Sequence, residues 1–198
     1  NYIAKGIVLD RLLESLIISK INYSDLIVGD KNALLIAARV LGYGKDYEFS
    51  YGGETLSVDL TTLEDKNLNS KDLMEEGVNE FEFSLPSSKT TITFKLLTHG
   101  DEKSIDRELQ GLKKIRKDII PEATTRLKYT ITSIDGDREK KAIREFVDNY
   151  LLAKDARSLR EEIRRISPDV ELQYYGDDVE EAIDVPIDTT FFWPDSRI

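Results

Sequence analysis

The sequence predicts an α+β fold, a helical body carrying two or three β-hairpins in one unit of 198 residues. Two observations lead there. Apolar residues recur at helical spacing over 7–20, 31–42, 101–119, 138–153 and 155–166. Runs of alternating polarity flank turn residues at 47–60 and 81–96. The expected layout is helical over 1–46, two hairpins over 47–97, helical again over 98–168, then a third hairpin and an aromatic tail over 169–198. The chain begins at Asn1 rather than Met, so residues upstream of it are expected.

The first helix places Val8, Leu9, Leu12, Leu13, Leu16 and Ile17 on one broad stripe. Asp30 reads as the N-cap of the second. Its run Ala33-Leu34-Leu35-Ile36-Ala37-Ala38 is apolar all round, which predicts burial. Gly42-Tyr43-Gly44 ends it, glycine being the usual residue just past a helix. Gly52-Gly53 lies between two alternating runs and supplies the positive φ of a tight hairpin turn. Pro86-Ser87-Ser88 turns the second hairpin, between Phe81, Phe83, Leu85 and Ile92, Phe94, Leu96.

Asp101 reads as the cap of the next helix. Residues 121–134 fit a helix through Leu127, Ile131 and Ile134, and a strand through Leu127, Tyr129 and Ile131. A helix is preferred because proline suits a first helical turn. Ile143, Phe146, Val147, Tyr150 and Leu151 share one side of the following helix. Asp155 caps the last, with Leu159, Ile163 and Ile166 inward. The tail then echoes the first hairpin. Residues 171–176 (ELQYYG) and 182–185 (AIDV) repeat the strand, Tyr-Gly turn and strand of 48–53 and 56–60.

Composition excludes whole classes of function. The net charge is −10, from 28 Lys and Arg against 38 Asp and Glu. General affinity for DNA or anionic membrane requires clustered positive charge, so neither is an expected partner. No apolar run approaches the ~20 residues that span a bilayer. The absence of cysteine removes disulfides, thiolate nucleophiles and cysteine-based zinc sites. His99 is the one histidine.

Apparent motifs mostly reduce to local structure. Gly42-Tyr43-Gly44-Lys45 lacks the earlier glycine of a phosphate loop, since Arg39 stands there and Asp46 follows the lysine. Asp135-Gly136-Asp137-Arg138-Glu139 resembles the start of a calcium loop, but Lys140 and Phe146 stand where Gly and Glu are needed. His99 has no Gly-x-Ser-x-Gly elbow to serve. Lys113-Lys114-Ile115-Arg116-Lys117 closes a helix, where positive charge is favourable in any case. No catalytic, cofactor or metal residue is therefore expected. Arg39 is different, because an arginine in apolar surroundings must snorkel, pair with a carboxylate such as Asp59, or meet a partner. Phe191-Phe192-Trp193-Pro194 must also be buried, in the chain's own core or against a neighbour. Arg39, Tyr43, Phe191, Phe192 and Trp193 are the residues expected at a partner contact.

Three segments resemble one family: residues 29–47 (GDKNALLIAARVLGYGKDY), 155–160 (DARSLR) with 166–169 (ISPD), and the closing 191–194 (FFWP). Their order and spacing are similar to those of the T4-type bacteriophage baseplate proteins, the hub-assembly group of contractile-tailed phages. The resemblance implies a non-enzymatic tail protein, either a structural component of the baseplate hub or an assembly chaperone. It also implies phage tail proteins as partners, with self-association open. The location would be the host cytoplasm during assembly and then the virion tail. Family members often carry cysteine pairs at the two hairpins, a zinc-ribbon-like element. Here Ser50, Tyr51, Gly52 and Gly53 occupy the first and Tyr174, Tyr175 and Gly176 the second, so this would be a degenerate, cysteine-free ribbon. Packing by Tyr51, Tyr174 and Tyr175 would then replace the metal. The alternatives are a small metal-dependent enzyme using Asp59, Asp135 and Asp137, and an adaptor domain unrelated to phage.

Overall fold

The computed structural model describes residues 7–68, 78–115, 121–176, 182–187 and 189–192. In chain order these form α1 (Ile7–Leu16), α2 (Val28–Tyr43), β1 (Asp46–Tyr51), β2 (Glu54–Asp59), β3 (Phe81–Ser84) and β4 (Thr91–Phe94). Then come α3 (His99–Ile115), α4 (Glu122–Thr130), β5 (Ile131–Ile134), α5 (Lys140–Asn149) and α6 (Ala153–Ile166). The chain closes with β6 (Gln173–Tyr174), β7 (Ile183–Asp184) and the single turn α7 (Thr189–Phe192). The α+β class read from the sequence is the class observed. The sequence reads as one unit, whereas the packing forms two. The first comprises Asn1–Tyr23, Gly29–Asn67 and Pro168–Ile198, and the second Ser24–Val28 with Leu68–Ser167.

In the first unit, β1 and β2 pair antiparallel from Asp46↔Asp59 to Tyr51↔Glu54. The turn is made by Gly52 and Gly53, both at positive φ (60° and 90°), as their sequence requires. The echo in the tail is also a hairpin, with β6 paired to β7 through Gln173↔Asp184 and Tyr174↔Ile183. The two ends of the chain meet at a close backbone approach. A Cβ on Gly29 would lie 2.0 Å from the Pro168 carbonyl oxygen, and Asn32 Nδ2 donates to Asp169 Oδ1 at 2.9 Å. We expect Gly29→Ala to cost about 1–3 kcal/mol, because backbone must move to admit the methyl. Gly42→Ala, whose Cβ meets nothing within 4 Å, should be neutral or stabilising in the same denaturant melts. Equal midpoints for the two variants would contradict this packing.

The second unit is a three-stranded antiparallel sheet in the order β3-β4-β5, with helices packed on it. Leu85, Ile92, Phe94 and Leu159 are fully buried in its core. Glu108 accepts from Arg144 (2.8 and 2.6 Å) and from the Tyr129 hydroxyl (3.0 Å), which fastens α3 to α4 and α5.

Several sequence readings change here. The first helix stops at Leu16, leaving Ile18 wholly exposed. Asp30 lies inside the first turn of α2 rather than before it. Thr98 precedes α3, and it exchanges hydrogen bonds with Asp101, so the two act together as a capping box. Residues 121–134 split: α4 ends at Thr130, 131–134 pairs with β4 as β5, and Asp135-Gly136, at positive φ, turns the chain after that strand. Tyr150 faces solvent at the end of α5. Asp155 lies within the first turn of α6, yet its carboxylate reaches the β3–β4 turn instead of capping its own helix.

Candidate functional site

The residues expected at a partner contact belong to the first unit. Arg39 is only 6% exposed. Its guanidinium lies 5.0 Å from the Tyr43 ring centre, 5.9 Å from Tyr47 and 6.0 Å from Phe191. It donates to the carbonyls of Gly44 (3.1 Å) and Asp46 (3.4 Å), which the chain presents as it leaves α2. Ring faces and carbonyls therefore hold the charge, and among the described residues no carboxylate pairs with it. Asp59 is committed elsewhere: Lys45 at 2.5 Å, and then the Thr61 hydroxyl and amide, hold its carboxyl down at about 2.

The described part of the aromatic end, Phe191 and Phe192, is internal. Phe191 is 0% exposed and packs edge-on against Tyr47 at 4.8 Å and Phe192 at 5.0 Å. Phe192 is also buried, and Trp193 lies outside the described residues. Arg39, Phe191 and Phe192 are thus built into the unit rather than offered to a neighbour. The physical reason is that the aromatic end closes over the inner side of β1 and sequesters all three. Tyr43, about half exposed, is the one residue among the described members of the set that also reaches solvent.

The two hairpins do share a surface. Phe49 meets Tyr174 edge-on at 6.0 Å, and the Tyr47 hydroxyl donates to the Pro186 carbonyl at 3.0 Å. Of the three tyrosines expected to pack there, only Tyr174 takes part. Tyr51 and Tyr175 are mostly exposed: Tyr51 shares the side of β1 that buries Tyr47 and Phe49, but it stands at the strand's end beside the Gly52-Gly53 turn, and Tyr175 lies just past β6.

What the sequence does not foretell is a gap in the covering of α2. Leu35 and Ile36 face the core, while Ala33 and Ala37 are exposed and Leu41 is 87% exposed. Opposite them runs 60–65, a single 3₁₀ turn at Leu60–Thr62 followed by a short stretch bridged to Val170. The amide of Glu171 donates to the Glu64 carbonyl and that of Lys66 to the Asp169 carbonyl, both at 2.8 Å. The result is an open groove of about 440 Å³ with Ile36, Leu60 and Leu63 at its base and Ala37, Val40 and Leu41 along one side. The signal was present in the run 33–41: a helix apolar all round must be covered all round.

The carboxylates considered for metal chemistry are each occupied locally. Asp135 accepts from the Thr91 amide and Asp137 from the Glu139 amide, besides the engagement of Asp59. Among the described residues no group of three or more His, Asp or Glu side chains could hold a metal ion. His99 is buried at the start of α3, its amide donating to the Leu26 carbonyl. No helix among the described residues is long and apolar enough to cross a membrane. Family models, curated proteins and solved structures yielded no match to the chain.

Proposed function

We propose that this chain is a non-enzymatic component of a contractile phage tail, building or helping to assemble the baseplate hub through protein–protein contacts. It works in the host cytoplasm during assembly. The observation that carries the reading is the uncovered apolar side of α2, which ends in a leucine 87% exposed. A helix of that composition is stable in water when something covers it. Of the segments that resemble the baseplate family, 29–47, 168–169 and 191–192 come together in this unit, while 155–160 belongs to the other. Gly29 packs on Pro168, and Tyr47 packs on Phe191. Their likeness to the family therefore lies at structural joints, and the same stretch 29–47 carries the open face.

The test is co-purification of the full chain with the other tail proteins. Leu41→Gln keeps a good helix former and removes only exposed apolar surface, so stability should change by less than about 0.5 kcal/mol. Recovery of the tail partner should fall at least about tenfold, the consequence of losing one well-packed leucine from an interface. Wild-type recovery with Leu41→Gln would refute this use of α2.

A further inference from the structure

The charge of this protein is not shared between its units. The segments of the first unit hold eighteen Asp and Glu against eight Lys and Arg. Those of the second hold twenty of each. Counted over the described residues alone, the first unit still carries six more acidic than basic side chains and the second one more basic than acidic, so the negative charge lies with the unit that carries the open groove.

Local chemistry matches. Asp65 stands on the rim of the groove. Beside it, sharing Leu63, is a second depression of about 390 Å³ bordered by Glu64, Glu171, Tyr174 and Tyr175. Asp10 and Asp59 of this unit are paired to lysines, but Glu64, Asp65 and Glu171 form no ion pair among the described residues. Carboxylates without an ion pair among the described residues, beside the exposed Tyr175 ring and the half-buried Tyr174, suit a cationic side chain, through charge and through the negative faces of the rings.

We propose that the groove receives a segment of another protein that is apolar on one face and bears Lys or Arg beside that face. Its apolar side chains lie against Ala37, Val40 and Leu41, and one cation enters the depression between Glu64, Glu171 and the tyrosines. This rests on the reading of the α2 face as a partner contact and adds the chemistry of the partner. A second copy docking through the same unit is the poorer occupant, since it would set two strongly acidic surfaces against each other. Electrostatic steering would speed association at low salt and fade as screening rises.

The test uses the full chain and two labelled amphipathic peptides of roughly 15 residues, a length sufficient for helix formation on binding. They share one leucine face; one is flanked by lysines, the other by glutamates. Fluorescence anisotropy should give binding of the lysine peptide at least about tenfold tighter than of the glutamate peptide. Leu41→Gln should weaken it about tenfold. The pair Glu64→Gln with Glu171→Gln should weaken it similarly and flatten its salt dependence. Leu152→Gln, an exposed leucine of the second unit, should change nothing. Equal binding of both peptides, or none of either, overturns the proposal. So does lysine-peptide binding indifferent to Leu41→Gln, which would be diffuse attraction to an acidic surface. Self-association of the chain that Leu41→Gln abolishes would make the occupant a second copy. Loss of tail-protein recovery by Leu41→Gln would leave the proposed function standing in each of these cases, so the two failures are separable.

Discussion

Truncating Phe191 to alanine should destabilise the first unit by about 3–5 kcal/mol, the range for removing a buried phenylalanine and leaving a cavity. Its ring is wholly buried and touches Tyr47, Phe192 and the guanidinium of Arg39. The cost is therefore more than lost apolar area. Arg39 would keep its buried charge with one ring fewer against it, and its Nε already lacks a hydrogen-bond partner among the described residues. Thermal melts followed by circular dichroism should show the loss. Phe191→Leu, which preserves most of the volume, should recover more than half of it. A melt of Phe191→Ala within a degree of wild type would show that the aromatic end does not hold this unit together.

The second large effect lies in the other unit. Asp155 is fully buried and accepts the amides of Ser87 and Ser88 at 2.7 and 2.9 Å. It pins the turn between β3 and β4, where Lys89 sits at a φ of 63°. Asp155→Ala should cost about 2–4 kcal/mol, because two amide donors lose a charged acceptor inside the protein. Asp155→Asn keeps one acceptor and should cost less. The pH dependence has a definite sign. Burial alone would raise this carboxyl, but the hydrogen bonds from Ser87 and Ser88 outweigh it and hold the group below its ordinary value. A carboxyl lowered by folding stabilises the protein above its unfolded value, about 4, and that contribution is lost as the pH falls through the folded value. The difference between wild type and Asp155→Ala should therefore be full at neutral pH and shrink in acid. A difference that stays constant down to about pH 2, well below the ordinary carboxylate value, would contradict this.

These two residues mark how far the sequence could be read. Phe191 had to be buried from its chemistry alone, yet an aromatic run at a chain end fits a neighbour's core as well as its own. Only the meeting of residue 191 with Tyr47, far away in the chain, decides between them. Asp155 looked like a helix cap because it stands near a helix start with apolar spacing after it. Its true acceptor role depends on a turn nearly seventy residues earlier, which no local pattern records. The Gly52-Gly53 hairpin was legible because its cause is local, as positive φ needs glycine. At 131–134 the helical and strand periodicities both fit, and pairing with β4 settled the matter. The open groove was half legible: the sequence told of an apolar α2, but which side the unit leaves bare depends on where 60–65 runs. The charge imbalance was hidden for a similar reason, since the acidic unit is assembled from segments at both ends of the chain.

The most direct test of a protein contact through α2 is hydroxyl-radical footprinting of Leu41. The side chain is 87% exposed in the isolated chain and should be oxidised readily there. In a tail complex purified with the chain bound, its oxidation should fall several-fold, while that of Ile115 and Leu152, exposed in the second unit, should hold steady. Equal oxidation of Leu41 in the free chain and in the complex would contradict the account.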